Sequence, residues 1–254
     1  MKKYITKLVN ITISTICMLS ASLALASGGN YPLEKAPKKV SDVAALQRGA
    51  KLFVNYCLNC HSASAMRYNR LKDIGLTDEQ IKQNLLFTGE KVGETMQIAM
   101  NYKDAKKWFG ATPPDLSVIA RSNGKDWLYT YMRSFYVDES RATGWNNALF
   151  PNVGMPHVLW ELQGSRTAKH VEEVDPHDHT KKISKIVGFE QVKAGSLTAQ
   201  EYDEAVGDLV AFLDWMGEPS QNSRKRMGLW ILLYLSIFTL FAWLLNANYW
   251  KDIK

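Results

Sequence analysis

Two uncharged apolar runs stand near the ends of the chain, and between them hydrophobic residues recur at helical rather than strand spacing. The first run extends from Leu8 to Leu25, follows Lys2, Lys3 and Lys7, and closes on Ala24-Leu25-Ala26. A basic start, a short apolar stretch and a small-x-small ending predict a secretory signal peptide over residues 1–26, cut after Ala26. The competing reading is an uncleaved N-terminal anchor. The second run, Leu229 to Leu245, contains no charged residue, and Trp230, Trp243, Tyr249 and Trp250 stand near its ends. With its flanks it is about 20 residues, or ~30 Å of helix, the thickness of a bilayer core. It predicts a transmembrane anchor over 227–247, with interfacial aromatics, and a cytoplasmic tail over 248–254.

The intervening residues, 27–222, suffice for one domain with a core. Gly28 to Lys39 is rich in Gly, Pro and Lys and reads as an arm. Ser41 then looks like an N-cap, with Val43, Leu46, Ala50, Phe53 and Val54 at helical spacing. Gly49 lies one turn before Phe53, so a second helix could approach at the glycine and pack on the ring. Thr77-Asp78-Glu79-Gln80 is a capping box opening a helix through Leu86. Trp127 to Tyr136 is another helical candidate, and Met96 and Met100 look like one helix face. A further capping box, Thr198 to Glu201, starts a helix with Tyr202, Ala205, Val206, Leu209, Phe212 and Leu213 on one face, ending near Gly217-Glu218-Pro219. Strand signals are weak throughout. The fold class is therefore mainly α, with long loops over 89–114 and 137–163.

Charge narrows the partners. The net charge is +6, and the signal carries three lysines and no acid, which leaves about +3 after cleavage. No long basic run is interleaved with aromatics, so no nucleic-acid partner is expected. The late helix carries Glu201, Asp203, Glu204, Asp208, Asp214 and Glu218, with no Lys or Arg between Lys193 and Arg224. This reads as a solvated face, the sharper alternative being a docking surface for a basic partner.

The chemistry concentrates in Cys57-Leu58-Asn59-Cys60-His61. In C-x-x-C-H two thiols add across the vinyl groups of a haem while the next residue ligates its iron. A zinc site would need a second pair of ligands, and the only other cysteine, Cys17, lies in the segment expected to be removed. A thioredoxin-like pair would need a βαβ context, which is missing. Haem consumes both remaining thiols, so no disulfide stabilises the domain.

His61 fills one axial position, and the other decides between oxygen chemistry and electron transfer. Met66 is too close in sequence to cross the haem plane. Met132 falls in an aromatic helix, Met216 at a helix end and Met227 at the membrane. Met155 stands apart in Phe150-Pro151-Asn152-Val153-Gly154-Met155-Pro156, where Pro156 favours an extended backbone and Gly154 permits close approach to a porphyrin. His157 is the rival ligand. Lys169-His170 and Asp175-Pro176-His177-Asp178-His179 could hold a metal but read better as a solvated loop.

Orientation carries a conflict. Arg224-Lys225-Arg226 precede the span, and only Lys251 and Lys254 follow it. The positive-inside rule would put the preceding side in the cytoplasm. Signal and haem put that side outside, so the cluster is read as meeting lipid headgroups or a partner subunit.

The ordered set of C-x-x-C-H-S, Pro113-Pro114-Asp115-Leu116-Ser117, Trp145-Asn146-Asn147, Gly154-Met155-Pro156 and Arg224-Lys225-Arg226-Met227-Gly228 entering one C-terminal span resembles the cytochrome c1 family in its bacterial form. The resemblance runs from about Tyr31 to the C-terminus. It implies a class I cytochrome c-like haem domain with one covalent haem c on Cys57 and Cys60, and His61 and Met155 as axial iron ligands. It further implies that Pro113, Pro114 and Leu116 line the haem crevice and that Arg121 lies near a propionate. That last point departs from the family pattern, since Asn123 stands at the second basic place. The implied role is electron transfer in the cytochrome bc1 complex of a bacterial inner membrane, with the haem domain in the periplasm. Cytochrome b and the Rieske iron–sulphur protein would be partners, and a soluble cytochrome c or terminal oxidase the acceptor. A free membrane-tethered shuttle, or a haem peroxidase or sensor with an open iron, are the alternatives.

Overall fold

The computed structural model describes residues 31–174 and 182–251. The expected signal peptide and the Asp175–His179 stretch lie outside the described residues, as does the end of the tail.

Two helices form the frame. Helix α1, Val43–Leu52, is capped by Asp42 rather than Ser41: its carboxylate accepts the Ala45 amide at 3.2 Å. The helix widens into a π-helical turn over Phe53–Cys57, which delivers the chain to the C-x-x-C-H motif. Such turns are uncommon and concentrate at functional sites. The long helix near the C-terminal end of the domain spans Ala199–Gly217 and opens on the expected Thr198–Glu201 capping box. It crosses α1 at Gly49, where a Cβ would stand 2.7 Å from that of Phe212 and would also collide with the Asp208 carbonyl. Phe53 packs on Phe212 with ring centroids 5.6 Å apart.

The expected acidic outer face holds in part: Glu201 and Glu204 are exposed, but most of the acids bind cations of the same chain. Asp208 is buried and accepts from Lys39 Nζ at 2.9 Å and Arg48 Nε at 2.5 Å. Asp203 takes both Arg133 Nε at 2.6 Å and its terminal nitrogen at 2.8 Å. Glu204 pairs with Lys39, and Glu218 with Arg224 at 2.5 Å. Four of the six acids serve cations of the same chain, which binds the N-terminal arm and the neighbouring helices to this one.

The other elements are short. In chain order they are β1 (Ala63–Arg67), α2 (Asp78–Asn84), β2 (Thr95–Met96), α3 (Tyr102–Phe109), α4 (Ile119–Asn123), α5 (Lys125–Arg133), β3 (Phe135–Val137), β4 (Trp145–Asn147) and α6 (Trp160–Gln163). The Thr77 capping box opens α2 as expected. The helix from Trp127 stops earlier than the pattern suggested, because Phe135–Val137 pairs antiparallel with β4, Phe135 opposite Asn147. Met96 pairs in β2 and Met100 precedes α3, so the two do not share a helix face.

One element was not expected. Strands β5 (Gly164–Val174) and β6 (Lys182–Ala194) form a long antiparallel hairpin. Its backbone register is irregular in two places, and its exposed Val171, Val187 and Val192 lack the clean alternation of a half-buried sheet. The Ala199–Gly217 helix is labelled α7. It is followed at once by α8, Gln221–Tyr249, a 29-residue helix with a mean hydropathy of 2.1 in its most apolar window. Only Gln221 of α8 is buried.

Candidate haem site

The site begins where the π turn ends. The amides of Cys60 and His61 both donate to the Cys57 carbonyl, at 3.1 and 2.9 Å, which folds the five-residue motif into one tight turn. Cys57 is buried, Cys60 is partly exposed, and both thiols are free. Burial, with Cys60 alongside, pushes the Cys57 thiol up to about 12, and burial raises Cys60 as well.

His61 is fixed from one side. Its Nδ1–H donates to the Pro114 carbonyl at 2.7 Å, which leaves the lone pair on Nε2. Burial lowers its pKa against the opposing pull of the Pro114 carbonyl and Asp115, so the ring is neutral. A neutral imidazole held through one nitrogen is the form that ligates a metal through the other.

The segment that supplies this carbonyl is zipped alongside the motif. Leu116 N donates to Ser62 O at 2.8 Å, and Ser117 Oγ accepts from Ala65 N at 3.0 Å. Asp115 accepts from Ser64 N at 2.8 Å, Ser64 Oγ at 2.6 Å and Ser117 N at 2.8 Å. Burial works against that carboxylate, but the bonds from Ser117 and Ser64 outweigh it and hold its pKa below the ordinary value. A cleft beside the motif is lined by Cys60, Ile98, Met100, Pro113 and Asp115, among others.

Met155 is positioned by a second group of residues. The Tyr131 hydroxyl donates to Met155 Sδ at 3.4 Å, engaging one of the two sulphur lone pairs. The loop that carries Met155 hangs on two buried asparagines. Asn147 Oδ1 accepts from Leu149 N and Phe150 N, each at 3.0 Å, while its Nδ2 donates to Tyr131 O at 2.8 Å. Asn146 Oδ1 accepts from Asn152 N at 2.9 Å. Asn152 has φ +63°, a left-handed conformation that asparagine tolerates, and Arg141 bonds to both its side chain and its carbonyl. A Cβ on Gly154 would stand 2.7 Å from the Phe109 carbonyl, so the glycine lets the end of α3 come close to this loop.

His157, the rival ligand, is enclosed. Its ring is 1% exposed, stacks on Phe135 at 4.9 Å and meets Trp145 edge-on at 5.1 Å. With the Gln163 amide turned to satisfy both groups, its nitrogen donates to His157 Nε2 at 2.7 Å. Burial depresses its pKa to about 3, so it stays neutral. His170 sits in β5 with Nδ1 3.0 Å from Ser184 Oγ, and no group of three His, Cys, Asp or Glu among the described residues could hold a metal. Arg121 lies at the end of α4, its guanidinium 3.8 Å from Glu218 and its stem against Gly217.

The structure thus gathers Cys57, Cys60, His61, Pro113, Pro114 and Leu116 around one turn, and assembles Met155 with Tyr131 on a separate scaffold. Two unpaired thiols, a neutral imidazole with a free Nε2 and a thioether with one unengaged lone pair are a donor set that fits covalent haem c. Sequence reading missed Tyr131 and the asparagine scaffold. Their contacts join residues up to 24 positions apart, which no local pattern signals.

Comparison with known proteins shows the family. The model of the Cytochrome C1 family matches residues 34–253. Cytochrome c1 of Allochromatium vinosum is 46% identical over 242 residues, covering 95% of this chain and 98% of that protein. A Nitrosomonas europaea protein named ammonia monooxygenase gamma subunit is 44% identical over 236 residues, 93% of this chain and 95% of its own length. Cytochrome c1 of Rhodospirillum rubrum is 26% identical, covering 84% of this chain and 83% of that protein.

Proposed function

The chain belongs to the cytochrome c1 family, and on that premise we propose how its residues serve a cytochrome bc1 complex, of which it is an electron-transfer subunit carrying covalent haem c. Cys57 and Cys60 would hold the haem covalently through two thioethers. His61 would hold the iron of bound haem c through Nε2 and Met155 would hold it through Sδ, so both iron donors would come from the protein, which suits electron transfer rather than oxygen or peroxide chemistry. Bound haem c supplies a one-electron carrier, and thioether ligation raises its potential by favouring the reduced metal. The Pro114 carbonyl holds the His61 ring in one tautomer. The Tyr131 hydroxyl holds the sulphur, and Asn147 holds the loop behind it, so the donors keep their places in both redox states. Pro113 and Leu116 would wall the crevice, and Arg121 would meet a propionate.

The chain is anchored in the membrane by α8. We place the haem domain on the periplasmic side, as the signal-like N-terminus supports. There it takes single electrons from the Rieske protein and passes them to a soluble cytochrome c or terminal oxidase, with cytochrome b beside it in the membrane. The observation that carries this reading is the neutral His61 with Nδ1 on Pro114 and Nε2 left to ligate, directly after two free thiols.

Purification through a C-terminal tag in mild detergent tests it. Cytochrome b and a Rieske protein should co-elute, and the preparation should reduce cytochrome c with quinol. A haem-bearing chain that elutes alone and is not reduced by quinol would contradict the assignment of partners.

A further inference from the structure

A groove unrelated to the haem site runs between the N-terminal arm, the end of α7 and the first turns of α8. It is about 350 Å³ in volume. Its floor is apolar, with Val40, Val210 and Ala211, and its rim carries Lys38, Lys39, Lys125 and Lys225 against one carboxylate, Asp214. Lys39 is neutralised by Glu204 and Asp208. The others make no ion pair among the described residues: Lys225 Nζ bonds the neutral Gln221 amide oxygen at 3.1 Å, with Glu218 near enough to act on it through space, and Lys125 is likewise influenced by Asp126. Asp126, next to Lys125, is held by Lys35 at 2.7 Å. Within the lining, three cations without an ion pair therefore stand with one carboxylate, Asp214, over an apolar floor. The Asn222 side chain closes one end by donating to the Val40 carbonyl at 3.2 Å.

The depth of the groove indicates what it meets. Lys225 precedes Leu229, the start of the uncharged run, by four residues, or ~6 Å of helix. The headgroup layer of a bilayer is roughly 5–7 Å thick on each side. A cationic rim whose Lys225 lies at that depth, over an apolar floor, matches a molecule with an anionic head and apolar chains. It also gives Lys225 a use that the positive-inside rule does not.

We propose that this groove binds the phosphate headgroup of an anionic phospholipid from the leaflet on the haem-domain side. The proposal rests on α8 crossing the bilayer and not on the ligation of the haem. Lys38, Lys125 and Lys225 receive the phosphate, and the glycerol end lies on Val210 and Ala211.

The test uses the whole complex, delipidated in mild detergent and titrated with dioleoylphosphatidylglycerol under native mass spectrometry. Wild type should retain one such lipid per chain. The Lys38→Gln/Lys125→Gln pair should bind it about tenfold or more weakly, since each basic residue at a membrane surface contributes a several-fold effect. The Lys38→Arg/Lys125→Arg pair should bind as wild type. All three should show the same haem spectrum, which separates a lost lipid site from a misfolded domain or a failed haem assignment. Unchanged lipid binding in the glutamine pair would overturn the proposal. So would displacement of the lipid by an equal concentration of inorganic phosphate, because the groove would then be a simple anion site.

Discussion

At the residue scale the decisive contact is between Tyr131 and Met155. A hydroxyl that donates to a thioether draws electron density from the sulphur and weakens its support for the oxidised metal. Tyr131→Phe should therefore leave haem attached and lower the reduction potential by on the order of tens of millivolts, as a single hydrogen bond of ~1 kcal/mol allows. A potentiometric titration of the purified complex checks this, and an unchanged or raised potential would show that the bond does not act on the sulphur. The motif Cys57-x-x-Cys60-His61 was legible in sequence because attachment and ligation demand fixed spacing within one turn. Met155 stood out because glycine and prolines around one methionine mark a shaped loop, and the structure shows that loop built on Asn146 and Asn147. The groups that hold these donors were not legible. The Pro114 carbonyl is backbone and carries no residue signature, and Tyr131 shares an aromatic helix with residues that only pack.

At the scale of elements, the crossing of α1 over α7 sets the frame on which the π turn is built. Gly49→Val would drive side-chain atoms into the Asp208 backbone, which cannot swing aside as a flexible side chain would. The helices must part, loosening Phe53 against Phe212 and the ion pairs of Asp208. We expect a loss of about 2 kcal/mol or more, read as a lower denaturant midpoint for the haem absorbance of the solubilised protein. A midpoint equal to wild type would mean that the crossing is not tight. Gly49, Phe53 and both capping boxes were readable beforehand, since close approach and capping leave fixed residues at fixed offsets. The β5–β6 hairpin was not. Its side chains are largely exposed, so burial imposes no period of two on the sequence. Helix α5 ended early because the pairing of β3 with β4 competes for Phe135 and Tyr136, and that partner lies outside any local window.

At the scale of the whole molecule, α8 is attached to the haem domain almost only at its first residues. It is ~43 Å long, more than a bilayer core requires, so its first turns belong to the headgroup layer. None of its residues after Gln221 is buried against the domain. A stop after Ser220 should therefore yield a water-soluble red domain with covalent haem, recovered without detergent. Absence of haem from that product would show that folding needs the membrane segment. The anchor was legible because a bilayer imposes a length and a composition. The groove beneath the arm was not, since its lysines come from three separate stretches of chain.

The central claim is that electrons pass through a metal held by His61 and Met155. The most direct test is the Met155→Ala complex, examined for covalent haem, for the ferric charge-transfer band of Met–iron ligation and for reduction potential. The account predicts that haem remains attached, the band disappears, the potential falls and turnover from quinol to cytochrome c is lost, while His157→Ala keeps the band. A Met155→Ala protein with a wild-type band and potential would contradict it.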